Sequence, residues 1–124
     1  MKIPQIQIKR VYEEPHDDDG YRILIDRLWP RGISKAGAQI HYWAKEVAPS
    51  AELRKWYRHE ADKWEKFKRR YFAELDRRSN DVKKLVDLLQ SGPCTFLFAS
   101  KECELNNAHA LRDYMLENLQ NRKI

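Results

Sequence analysis

A chain of 124 residues with 42% hydrophobic and 11% aromatic side chains has the length and apolar content for one packed core. A single domain over residues 1–124 is expected, neither two marginal domains nor a disordered chain. Lysine and arginine number 24 against 19 acidic residues, a formal net charge of +5. Acidic side chains are mixed through nearly every basic stretch, so the excess is expected to be spread over the surface and not gathered into the stripe a nucleic-acid interface needs.

The segment Met1-Lys2-Ile3-Pro4-Gln5-Ile6-Gln7 alternates polar residues around a proline, where a signal peptide needs a continuous apolar core. No apolar run approaches the roughly 20 residues of a membrane-spanning helix, so a cytoplasmic protein without membrane contact is expected. Ile6, Ile8, Val11 and Tyr12 predict a first strand, ended by the polar turn from Glu13 to Gly20. Tyr21 to Leu28 is a short apolar run of the kind found in strands buried on both faces, and Pro30 and Gly32 stop it. Beyond it Ser34 is a candidate helix cap, and Ile40, Trp43, Ala44 and Val47 recur at helical spacing until Pro49.

Ser50 predicts the N-cap of a helix that turns Leu53, Trp56 and Tyr57 inward. Trp64, Phe67, Tyr71 and Leu75 predict a long amphipathic helix from near Ala61, with Lys63, Lys66, Arg69 and Arg70 on its other face. Ser79 or Asn80 caps a helix built on Val82, Leu85, Val86 and Leu89, closed by Ser91-Gly92-Pro93. Cys94 to Ser100 is a second buried strand, and Ala108, Leu111, Met115 and Leu119 mark a closing helix. Strands separated by helices predict an α/β fold: a small, largely parallel sheet covered by helices.

In open parallel sheets ligands bind where strands end and loops lead into helix N-termini, which singles out the loops after Asp26 and after Ser100. In the first, Arg27 and Arg31 carry guanidinium forks suited to carboxylate or phosphate, Gly32 permits close backbone approach, and Trp29 offers a ring face. In the second, Lys101 adds a point charge, and Asn106 is placed either to donate to a ligand or to cap the last helix. Asp26 is suited to orienting an arginine or to accepting a proton. His59 reads as a general base or as an ordinary cap.

His16-Asp17-Asp18-Asp19-Gly20 is a local polar turn and not a metal site, and no metal or cofactor is expected. Cys94 and Cys103 flank a strand too long to bridge, as suits a reducing compartment. With four glycines and no Gly-rich phosphate loop, the known nucleotide motifs are missing.

Lys9-Arg10-Val11-Tyr12, Asp26-Arg27-Leu28-Trp29-Pro30-Arg31-Gly32, Ala48-Pro49-Ser50 and Leu53-Arg54-Lys55-Trp56 together resemble the DUF488 family in its YeaO-like branch. Trp64-x-x-Phe67-x-x-x-Tyr71-x-x-Glu74-Leu75, Thr95 to Lys101 and Asn106-x-Ala108 follow in the family's order, so the resemblance covers almost the whole chain. It implies a small bacterial protein and brings no reaction with it. Relatives often carry His or Gln where this chain has Asn107, and neither cysteine belongs to the pattern. Some relatives carry a label as regulators of the MarR type, but the helix order and wing of a winged helix are missing here.

The leading expectation is a pocket for an anionic small molecule, phosphate- or carboxylate-bearing, formed by Arg27, Arg31 and Lys101 with Trp29, Gly32 and Asn106 nearby. If a reaction occurs there, Asp26 or His59 moves the proton. The alternatives are a nucleic-acid-binding or regulatory protein using Arg54, Lys55, Arg58, Lys66, Arg69 and Arg70, or a partner-binding protein whose Asp-Arg cluster locks the fold.

Overall fold

The computed structural model describes residues 5–121; residues 1–4, which carry part of the argument against a signal peptide, lie outside them. Four strands, β1 (Ile6–Arg10), β2 (Tyr21–Leu24), β3 (Tyr42–Trp43) and β4 (Cys94–Phe98), form one sheet in the order β1-β4-β2-β3, with every pair parallel. Four α-helices follow the sequence: α1 (Ala51–Tyr57), α2 (Trp64–Asp76), α3 (Ser79–Ser91) and α4 (Asn107–Asn121).

β4 pairs on both edges and is buried along its whole length, which is why Cys94-Thr95-Phe96-Leu97-Phe98 reads as a near-continuous apolar run. Strand alternation divides the core. Ile23, Ile25, Phe96 and Phe98 face a cluster shared with all four helices, while Leu24 and Leu97 face Val11, Ala38 and Ile40. The helices therefore cover one face, and the long segment from Trp29 to Trp43 covers the other.

That segment departs from the helix its spacing predicts. Residues Ile40, Trp43, Ala44 and Val47 do not share a helix: Ile40 packs on one side of the sheet, and Ala44 and Val47 on the other. The open edge of β2 competes for the backbone, since the His41 N–H donates to the Arg22 carbonyl at 2.9 Å and the Ala44 N–H to the Leu24 carbonyl at 2.8 Å. A positive φ of 51° at Gln39 breaks helical continuity just before β3.

Ser34 opens only a turn, its hydroxyl accepting the Gly37 N–H at 3.0 Å, and α3 starts at Ser79 with Arg78 at its N-cap and no side-chain cap bond; the remaining helix signals hold. The Ser50 hydroxyl accepts from the Leu53 N–H at 3.1 Å and caps α1, with Leu53 and Tyr57 buried beneath. Phe67, Tyr71 and Leu75 form the buried face of α2, and Val82, Leu85, Val86 and Leu89 that of α3. Gly20 holds φ +65° against the Pro93 carbonyl, and a Cβ there would lie 2.2 Å from that oxygen. The turn into β2 thus accepts only glycine.

One ionic group is sealed within the fold. Arg22 and Asp19 are each 1% exposed and pair directly, while Lys9 adds a second contact to Asp19 at 2.9 Å. Burial pushes the Asp19 carboxyl up, but the His16 N–H, the Lys9 ammonium and the Arg22 guanidinium outweigh it and hold the group below its ordinary 3.8. Asp19→Ala leaves a buried guanidinium without its counter-charge, so urea unfolding at neutral pH should show a loss of about 3–5 kcal/mol, while a loss under about 1 kcal/mol would contradict the assignment. Because the folded value is depressed, the contribution is complete above about pH 5 and is lost progressively as pH falls past 3.8 and through the lower folded value. Asp19→Ala should therefore flatten the acid limb of the stability profile.

Candidate functional site

Parallel strands deliver their carboxyl ends to one edge, and at the exits of β1, β2 and β4 a cavity of about 660 Å³ opens. Its floor carries Asp26, Ala99, Ser100 and Asn107. The loop from Arg27 to Arg31 forms one wall, with Tyr12 beside it, and Arg54, Lys55 and Tyr57 of α1 face them with His59 just beyond.

The rim is held by hydrogen bonds from several elements. Arg10 donates from Nε to the Ser100 carbonyl at 2.9 Å and from a terminal nitrogen to the Ala99 carbonyl at 3.0 Å, so the exit of β4 is pinned by β1. From β2, the Asp26 carboxylate accepts the Ala99 N–H at 2.9 Å on one oxygen and the Asn107 side-chain amide at 3.1 Å on the other. The Trp43 indole N–H donates to the Asp26 carbonyl at 2.7 Å, the Trp29 indole N–H to the Ile33 carbonyl at 2.7 Å, and the Tyr12 hydroxyl to the Arg31 carbonyl at 3.1 Å.

Asp26 does not pair with either neighbouring arginine. Burial pushes its carboxyl above the ordinary 3.8, and the bonds from Asn107 and Ala99 and the charge of Arg54 pull it back without cancelling that rise. The cations around it are equally uncommitted: among the described residues Arg27, Arg31, Arg54 and Lys55 form no ion pair, and their side chains have no hydrogen-bond partner. All four are exposed.

Of the residues singled out by sequence, Asp26, Arg27, Trp29, Arg31 and His59 line the cavity. Gly32, Lys101 and Asn106 do not. Gly32 turns the chain after Arg31 at φ +76° with open space around it, and Lys101 is exposed on the bend after β4. Asn106 is fully buried with its amide occupied at both ends: Nδ2 donates to the Glu102 carbonyl at 2.7 Å, and Oδ1 accepts the His109 N–H at 3.1 Å, a cap for α4. His59 sits at φ 57° with its ring 5.5 Å from Tyr57, and among the described residues no hydrogen bond joins it to Asp26. Among the described residues no group of three or more His, Cys, Asp or Glu side chains could hold a metal ion. Cys94 is buried and Cys103 exposed, both as free thiols.

Asn107, in the loop after Ser100 that the strand-end rule singles out, also lines the cavity, while Tyr12, Arg54 and Lys55 complete the site and escape that rule. The positions 51, 54 and 55 fall on one side of α1, a spacing visible in sequence, but nothing in the sequence says that this side roofs the ends of β2 and β4.

Residues 5–123 match a family model described as "Inactive DUF488-N3 subclade". Over 110 residues the chain is 43% identical to the uncharacterized protein YeaO of Escherichia coli, covering 89% of this chain and 96% of that protein. It is 46% identical over 71 residues to the uncharacterized proteins Rv3073c of Mycobacterium tuberculosis and Mb3100c of Mycobacterium bovis, covering 57% of this chain and 60% of each of theirs. No solved structure matches.

The Asp26 carboxyl supplies a direct check of this geometry. A carbon-detected NMR titration should place its midpoint above 3.8, and Asn107→Leu should move it further up by removing one of the bonds that favour the ionised form. A midpoint at or below 3.8, or one indifferent to Asn107→Leu, would contradict it. Since the folded value is raised, ionisation costs stability as pH rises through it, so Asp26→Asn should remove a stability decline just above pH 3.8.

Proposed function

This chain belongs to the DUF488 family, and from that premise we propose that it is a cytoplasmic protein that binds an anionic small molecule, phosphate- or carboxylate-bearing, in the cavity at the carboxyl edge of the sheet. The observation that carries the reading is the set of four cations, Arg27, Arg31, Arg54 and Lys55, which line one cavity and form no ion pair with any carboxylate among the described residues. Elsewhere the protein pairs or hydrogen-bonds its inward cations: Arg22 on Asp19, Arg10 on two carbonyls, Arg78 on the carbonyls of Glu46 and Ala48. Guanidinium groups left free around a concave surface suit bidentate recognition of an oxyanion.

Binding without turnover fits best. The description of the matching family model as an inactive subclade supports it. So does the local chemistry, because both groups bonded to the Asp26 carboxylate are amides, which do not relay protons at ordinary pH. Among the described residues no helix is long and apolar enough to cross a membrane.

Thermal-shift and calorimetric titrations with inorganic phosphate and with citrate test the reading. At concentrations on the order of 100 Kd, a bound anion adds about 2.7 kcal/mol to stability and raises Tm by several degrees. Arg31→Ala and Arg54→Ala should each weaken binding about tenfold while leaving the unliganded Tm nearly unchanged, since neither side chain supports the fold. Absence of stabilisation by either anion, or stabilisation indifferent to both substitutions, defeats the proposal. Binding of random-sequence DNA that survives both substitutions and collapses with salt points instead to the basic faces of α1 and α2.

A further inference from the structure

The cavity is not uniformly cationic. Asp26 lines it as well, with one hydrogen bond accepted on each carboxylate oxygen. An ionised carboxylate oxygen takes two, so each retains acceptor capacity. Among the described residues no lysine or arginine comes within ion-pairing distance of it. An oxyanion set against this group is repelled, whereas a neutral O–H or N–H forms a charge-assisted bond with it. The anionic part of a ligand therefore belongs with the arginines, and a donor-bearing part belongs with Asp26.

The walls add a third requirement. Tyr12 and Leu28, at 47% and 65% exposure, are two of the three large apolar side chains that stand most open to solvent among the described residues, and both line this cavity beside Trp29. The polar atoms of Tyr12 and Trp29 are already spent on the carbonyls of Arg31 and Ile33, which leaves ring and hydrocarbon surface to meet a ligand. A volume of about 660 Å³ is far more than a bare phosphate fills and lies within the range of small-molecule sites, about 300–1,000 Å³.

Resting on the anion-binding reading above, we infer that the ligand is a phosphate monoester of a hydroxylated ring compound. Its phosphate is held by Arg27, Arg31, Arg54 and Lys55, its hydroxyls donate to Asp26, and its ring lies along Tyr12, Leu28 and Trp29. Four free cations match a group of nearly two charges and three acceptor oxygens better than a lone carboxylate. Sugar phosphates and nucleoside monophosphates share this chemistry.

Calorimetric titration of the wild-type protein with methyl phosphate, ribose 5-phosphate and adenosine monophosphate separates the elements. Methyl phosphate carries the anion without hydroxyls. At least one of the two hydroxylated esters should bind about tenfold or more tightly than it does, and the tighter of the two identifies the source. Asp26→Asn should abolish that advantage while methyl phosphate binds as well as before or better, because a negative charge has left the cavity. The comparison of ligands on wild type decides the question even if Asp26→Asn folds poorly. If methyl phosphate binds and neither hydroxylated ester binds more tightly, this inference falls and the anion site stands. If no phosphate and no citrate binds, both fall.

Discussion

Parallel pairing on both edges of β4 is the constraint from which the rest follows. A strand flanked by β1 and β2 and covered on both faces is expected to be apolar, and Cys94 to Phe98 is so except for Thr95, whose hydroxyl donates to the Asp19 carbonyl. Because all the pairs run the same way, the chain leaves β1, β2 and β4 at a common edge. There two side chains of opposite sign grip the same short loop: Arg10 takes its carbonyls and Asp26 takes its N–H. The exit of β4 is thus fixed from the strand on either side before any ligand arrives, and a pre-formed rim lowers the ordering cost of binding.

The distribution of charge separates supporting groups from available ones. Arg22 and Asp19 are sealed in the fold, Lys9 reinforces them, and Arg78, between α2 and α3, donates to the carbonyls of Glu46 and Ala48 ahead of α1. Around the cavity the pattern reverses. Asp26 sits among cations and pairs with none, and four cations line the opening with no partner of their own among the described residues. A fold that needed these charges for stability would be expected to pair them, since unpaired charge near the surface contributes little.

Much of this was legible in residue order, for identifiable reasons. β2 and β4 declare themselves because a doubly covered parallel strand is apolar on both faces, and Ser50, Gly92 and the periodicity from Trp64 to Leu75 mark helix limits through local chemistry. β3 was hidden, since two residues carry no period and its backbone bonds depend on the edge of β2. At the site, Arg27, Trp29 and Arg31 follow directly from the rule that ligands gather at strand ends. Arg54 and Lys55 look in sequence like part of a solvated basic face, and only the packing of α1 over the strand exits brings them to the cavity. Lys101 shows the converse: adjacent to a strand end in sequence, it is carried away by the bend that leads to α4. At a strand end between arginines, Asp26 suits bracing one of them or accepting a proton, yet its bonds go to Ala99 and Asn107, partners some 70 to 80 positions distant in the chain.

The most direct measurement of the central claim, that the free cations at the strand exits form one anion site, is a titration with inorganic phosphate followed by NMR at the backbone amides and the arginine Nε–H groups. A single anion site should give saturating shifts with one dissociation constant at Arg27, Arg31 and Arg54 and at the amides of Ser100 and Asn107, with the far faces of α2 and α3 unmoved. Shifts scattered over Lys66, Arg69 and Arg70, or none that saturate, would contradict it.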